Sequence, residues 1–203
     1  GVAALPVHTD VTDRVAVDQL FATATEFGPI ASVIHTAGVS PSMGPADYVA
    51  RTNAVGTVNV NEAFYRFADA GAAIVNVASM AAHLLPDEII PTAKFPLALT
   101  DEAAFLAGIE AACGFAPDDL RSGMAYGVSK NFVKWYSSSQ AERFNAKGLR
   151  IVSVSPGSVD TEMGLLEADA GAGAMVMNAA VPRWGKAEDL GGPAVFLASE
   201  ASD

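Results

Sequence analysis

Ala72-Ala73-Ile74-Val75-Asn76-Val77 runs almost continuously apolar and ends in Ala78-Ser79. A strand with one wet face alternates apolar and polar residues; a strand buried on both faces does not. This stretch therefore reads as a strand inside a parallel sheet, with helices covering both sides. The surrounding chain repeats the pattern. Residues 3–8, 30–34 and 149–154 also read as short apolar strands. Between them, residues 14–27, 46–70 and 125–146 carry apolar side chains at helical spacing. Gly28-Pro29, Gly71 and Lys147-Gly148 supply the stops. A last helix is expected within 187–199, kinked or restarted at Gly191-Gly192-Pro193. Strands alternating with helices give the α/β class: a doubly wound parallel sheet in a single domain spanning 1–203.

Composition narrows the function. Apolar residues make up 51% of the 203 and charged residues 17%, the balance of a globular chain. A formal net charge of -11 argues against nucleic acid and against an anionic membrane surface, because both need basic patches. Cys113 is the single cysteine, so no internal disulfide forms and a reducing, cytoplasmic setting is expected. No apolar run has transmembrane length and no signal segment opens the chain.

In such sheets ligands bind at the carboxyl ends of the strands. Those ends carry Asp10, the Ala37-Gly38 turn, Ser79 and the Pro156-Gly157 turn. Tyr126 and Lys130 are four residues apart, so on a helix they share a face. A fixed ammonium favours the phenolate and is expected to lower the Tyr126 pKa toward neutrality. That would make the phenol a usable proton donor and acceptor.

Taken together, the motifs resemble the short-chain dehydrogenase/reductase family over nearly the whole chain. Tyr126-Gly127-Val128-Ser129-Lys130 is similar to its Tyr-x-x-x-Lys, and Ile74 through Ser79 to the strand ending in the catalytic serine. Asn53-Ala54-Val55-Gly56 resembles the Asn-x-x-Gly motif, and Asp10-Val11 the acidic turn at the adenine. Pro156-Gly157-Ser158-Val159-Asp160-Thr161 resembles the turn beside the nicotinamide. The resemblance implies a Rossmann-like fold and an NAD(P)-dependent oxidoreductase acting on a secondary alcohol or carbonyl, steroid-like or otherwise apolar. It implies catalytic roles for Asn53, Ser79, Tyr126 and Lys130, with Asn53 orienting a water that links Lys130 to solvent. It implies cofactor contacts from Asp10, Val11, Ala37, Gly38, Tyr126, Lys130, Pro156, Gly157, Val159 and Thr161. A small-molecule substrate and a homo-oligomer are expected, with no metal. The cofactor is expected to be NAD or NADP, NAD slightly favoured; the acidic or basic residue after the second strand, which would decide, lies outside the chain as given.

The sequence also departs from the family. His35-Thr36-Ala37-Gly38 stands where Asn-Asn-Ala-Gly is usual, and His35 reads as structural. The Gly-rich phosphate loop is not found, so the chain as given is expected to lack the first βαβ unit and the last strand. A segment at about 84–122 resembles an insertion of bacterial hydroxysteroid dehydrogenase/carbonyl reductases. Within it a helix is expected over 101–112, capped by Thr100. It is expected to pack on the outer sides of the helices at 46–70 and 125–146, sending any dimer to another face. The Gly/Ala-rich stretch at 167–180 reads equally as an ordinary helix or as a lid over the substrate. A non-catalytic dinucleotide-binding or regulatory module is the rival from another class. A cofactor-free lyase or dehalogenase is a third reading.

Overall fold

A computed structural model describes residues 4–202. Helix α1 (Arg14–Thr25) begins where the Asp13 carboxylate accepts from the backbone of Val15 and Ala16, satisfying two otherwise orphaned donors. Strand β1 (Ser32–His35) follows. The long helical stretch is composite: α2 (Ala46–Ala50), a π turn (Arg51–Val55) and α3 (Gly56–Phe67). Strand β2 (Ala73–Val77) leads through a 3₁₀ turn (Met80–His83) to a second 3₁₀ segment (Thr92–Leu99) and α4 (Glu102–Cys113). Then come α5 (Arg121–Ser139), α6 (Ala141–Asn145) and β3 (Arg150–Val154). Helices α7 (Glu162–Leu166), α8 (Gly173–Met177) and α9 (Ala187–Ala198) close the described chain.

The sheet runs β1-β2-β3, all parallel. Its register aligns Val33, Ile74 and Ile151 on one face and Ile34, Val75 and Val152 on the other. The first face joins the main core with Val17, Phe21, Phe64 and Phe132, beneath α1, α3 and α5. On the second, α9 packs over β1 and β2. Ile74 and Val75 are both fully buried, so β2 is covered on both sides, as its nearly continuous apolar run requires. Burying such a side chain contributes about 2 kcal/mol each.

Several boundaries differ from the sequence reading. Residues 4–8 form no strand, and Leu5 and Val7 are exposed; a strand needs a paired neighbour, and none lies beside them among the described residues. Residue 3 falls outside the described residues. Asp101, not Thr100, caps α4, accepting from Ala104 N at 3.0 Å. The helix expected at 125–146 starts four residues earlier and breaks at Gln140 into α5 and α6. Helix α9 runs through Pro193 without restarting.

The segment before α5 lies against α2 and α5. Phe95 meets Phe132 edge-on at 5.2 Å between centroids and Phe105 meets it tilted at 4.7 Å, while Phe95 meets Trp135 at 5.4 Å. Phe95, Phe105 and Phe132 are almost wholly buried, so this face of α5 is closed within the chain. Trp135 and Tyr136 are packing residues, with Tyr136 Oη donating to Glu62 at 2.6 Å.

Candidate active site

The end of β2 is pinned to the end of β3. Ala78 N donates to Val154 O and Met80 N to Pro156 O, both at 2.8 Å. These bonds set Ser79 beside the Pro156-Gly157 turn. Ser79 also caps the 3₁₀ turn, its hydroxyl accepting from Ala81 N at 3.2 Å. Helix α5 crosses this rim and presents Tyr126 and Lys130 on one face. The Lys130 ammonium sits 5.8 Å from the Tyr126 ring centroid and donates to Val77 O at 2.9 Å.

The electrostatics differ from the expectation that Lys130 lowers the tyrosine pKa. Burial raises the Tyr126 pKa; a hydrogen bond with Ser79 pulls it down and the Glu167 charge pushes it up again. The Lys130 ammonium, aimed at Val77 O, is not among the influences on the phenol. Burial likewise lowers Lys130 to about 8.

Asn53 lies in the π turn and is buried. An i→i+5 turn inserts one extra residue into the helix, and such bulges re-aim side chains at functional sites. Here Asn53 Oδ1 accepts from Val39 N at 2.8 Å, and Nδ2 donates to Val39 O at 3.0 Å. The side chain thus ties α2–α3 to the Gly38-Val39 backbone. A Cβ on Gly38 would stand 3.0 Å from Asn53 Oδ1 and 3.4 Å from Lys130 Nζ, so glycine is what lets these three groups meet. Behind them, the Thr57 hydroxyl donates to Asn53 O at 2.7 Å and is paired with His35 Nε2 at 3.1 Å. Burial holds the His35 pKa down at about 4, so the ring is neutral and structural, as its sequence position suggested.

These elements enclose a cleft of about 720 Å³. Ser79, Tyr126, Lys130 and Gly38 line it, as do Pro156, Gly157, Val159 and Thr161. Asn53 and Ala37 are not on its surface. Asp10 and Val11 also lie away from it. The Asp10 carboxylate accepts from Thr12 N and Oγ1 at 2.9 and 2.8 Å, and those bonds lower its pKa. Val11 fills the notch left by Gly56, where a Cβ would come within 2.7 Å of its Cγ2. Asn59 staples the turn to α3 by donating to Val11 O at 3.0 Å.

The opposite wall is a broken helix. Helix α7 is followed by a π turn (Ala168–Ala172) containing Gly171 at φ 123, and then by α8. Met163, Ala170 and Met175 face the cleft from it. Gly164 makes the closest approach: a Cβ there would fall 1.9 Å from Val159 O. Glu167 reaches across, its Oε1 accepting from Ser42 N at 2.9 Å. Sequence reasoning singled out this stretch but not Glu167. The one available signal was an acidic residue leading a Gly/Ala-rich run.

The donors present suit a dinucleotide. A buried ammonium has three N–H groups; Val77 O takes one, leaving two for a ribose diol. Gly38 and Gly157 bring bare backbone to the same wall.

Sequence comparison agrees with this geometry. A family model described as short chain dehydrogenase matches residues 1–90, and one described as enoyl-(acyl carrier protein) reductase matches 118–203. The first match contains Ser79 and the second Tyr126 and Lys130, so on both sides of the cleft the chain is similar to short-chain dehydrogenases/reductases. A 2-dehydro-3-deoxy-D-gluconate 5-dehydrogenase of Bacillus subtilis (strain 168) is 35% identical over 81 residues, 39% of this chain and 32% of that protein. The short-chain dehydrogenase/reductase bsc3 of Alternaria brassicicola is 27% identical over 201 residues, covering 96% and 71%. The chain thus spans about a third of the first relative's length and about seven tenths of the second's. In structure, the chain is similar to the 3-alpha-hydroxysteroid dehydrogenase from Pseudomonas sp. B-0831 complexed with NADH, at TM-score 0.77 and 20% identity, covering 97% and 77%. A short-chain dehydrogenase from Burkholderia cenocepacia J2315 in complex with NADP gives 0.69 and 22%, covering 95% and 68%. At these identities the structures establish the α/β Rossmann-like fold. Among the described residues no helix is long and apolar enough to cross a membrane.

Proposed function

We propose that the protein is an alcohol dehydrogenase or carbonyl reductase whose substrate has a largely apolar body. The observation that carries this reading is the convergence of Ser79, Tyr126 and Lys130 on one cleft whose other walls are mostly apolar, among them Met80, Leu84, Leu85 and Met163. A nicotinamide dinucleotide, when bound, supplies or accepts the hydride. In the reducing direction Tyr126 Oη gives its proton to the carbonyl oxygen as that oxygen gains negative charge. Ser79 Oγ hydrogen-bonds the same oxygen and stabilises the developing charge. Lys130 binds the ribose hydroxyls and keeps a positive charge near the phenol. Asn53 holds Gly38-Val39 as a backbone wall for the cofactor and is a positioning residue. In the oxidising direction the phenolate form of Tyr126 takes the alcohol proton. NAD remains slightly favoured over NADP; a cytoplasmic setting and a homo-oligomer belong to the same proposal.

The test is Tyr126→Phe, which deletes only the hydroxyl. An acid/base role supports a fall in kcat of about 10²-fold or more, with cofactor affinity nearly unchanged. A variant keeping more than about a tenth of kcat contradicts the role. Wild-type protein that binds the dinucleotide but transfers no hydride to any secondary alcohol or ketone would leave the non-catalytic module as the better reading.

A further inference from the structure

Within the cleft, ionisable groups are few. Among the described residues that line it they are Tyr126, Lys130 and Glu167. Tyr126 is the proton donor proposed above, and Lys130 is committed to Val77 O and to the cofactor ribose. Glu167 has no part in that chemistry. Yet it faces the reacting end of the cleft, near enough for its charge to act on the Tyr126 phenol. Its position is fixed from across the cleft, because Oε1 accepts from the Ser42 backbone N–H at 2.9 Å. The carboxylate has a second oxygen with further lone pairs. The side chains around it on the same wall, Met163, Ala170 and Met175, offer no hydrogen bonds of comparable strength.

We propose that Glu167 is the specificity-determining residue of this cleft: its carboxylate selects substrates carrying an N–H or O–H donor a few bonds from the reacting carbon, and rejects substrates carrying a carboxylate or phosphate there. The physical basis is that a half-buried carboxylate in an apolar wall repels a second anion strongly, whereas it gains a charge-assisted hydrogen bond from a hydroxyl or an ammonium. This deepens the oxidoreductase reading and rests on it for the identity of the reacting carbon. The alternative is a purely mechanical role, in which Glu167 only latches the α7–α8 wall to Ser42.

Glu167→Gln separates the two, since the amide oxygen can still accept from Ser42 N while the charge is gone. The probes are four ketones of one skeleton, bearing a remote ammonium, hydroxyl, methyl or carboxylate, with their alcohols. They are assayed on the full-length protein for kcat/KM and, without turnover, for equilibrium binding in the presence of the dinucleotide. Wild type is expected to favour the ammonium over the carboxylate ketone by about tenfold or more. Glu167→Gln should reduce that ratio at least about tenfold, with the methyl ketone little changed. Equal ratios in wild type and Glu167→Gln overturn the proposal, as does a loss in Glu167→Ala that is uniform across all four probes. A binding preference without any hydride transfer would sink the oxidoreductase reading and leave the selectivity standing. Turnover without the preference would do the reverse.

Discussion

Replacing Lys130 by Met should make the protein more stable while destroying its proposed function. The ammonium is buried and donates to Val77 O at 2.9 Å. Burial lowers its pKa from 10.5 to about 8. A lysine whose folded pKa lies below its unfolded one is protonated more readily in the unfolded chain. Below pH 8 the folded state therefore carries the full penalty, about 3 kcal/mol at 1.36 kcal/mol per pH unit. As pH rises from about 8 to 10.5 the unfolded lysine loses its proton too, and the penalty disappears. Met has a similar length and no charge, but leaves Val77 O without its donor, a loss of about 1 kcal/mol. The net expectation at pH 7 is a gain of about 2 kcal/mol, or a Tm higher by about 4–8 °C for a chain of this size. Urea melts of wild type and Lys130→Met at pH 7 and near pH 10.5 read this directly. The gain should shrink with pH and reverse by about 1 kcal/mol at the alkaline end. A variant less stable than wild type at pH 7, or a difference indifferent to pH, refutes the argument. In the same variant dinucleotide affinity and turnover should both fall, and unchanged affinity would remove the ribose role.

Tyr126→Phe should abolish turnover yet leave dinucleotide affinity near wild type, as read by fluorescence titration and steady-state kinetics. Gly164→Ala places a Cβ 1.9 Å from Val159 O, so the turn into α7 must shift; a raised KM and faster proteolysis within 159–177 are expected, and unchanged values for both would show that the wall is not fixed there. Phe105→Ala empties a fully buried site between Phe95 and Phe132 and should cost about 3–5 kcal/mol in a urea melt. A loss below about 1 kcal/mol would mean that α4 is not an integral part of the core.

The sheet was legible because period and burial are coupled. Ala73–Val77 shows no alternation, and both its faces are covered. Residues 4–8 show the limit of that inference. An apolar run states what a strand needs, a paired neighbour, and does not supply one. Errors at the α4 cap have a similar origin: Thr100 and Asp101 are both capping residues, and only the backbone path decides which one reaches the Ala104 N–H. The π turn at Arg51–Val55 left no sequence signal, since the step from i→i+4 to i→i+5 comes from packing. Asn53 sits in that turn and bonds both backbone groups of Val39.

Chemical identity at the site was legible, whereas its electrostatics were not. Spacing placed Tyr126 and Lys130 on one helical face, and they do share the cleft. The inference that the ammonium would depress the phenol pKa assumed that proximity along a helix is the dominant influence. Instead the Lys130 side chain turns to Val77 O, and burial acts on both groups in opposite directions, raising the phenol and lowering the ammonium. The order of titration is therefore the reverse of the simple picture: Lys130, at about 8, loses its proton before Tyr126 does. A neutral phenol held by Ser79 is a ready proton donor, which suits the reducing direction near neutral pH. The oxidising direction needs that proton gone, so it must draw on a charge brought close to the phenol after Lys130 has been engaged. Glu167 works against that ionisation.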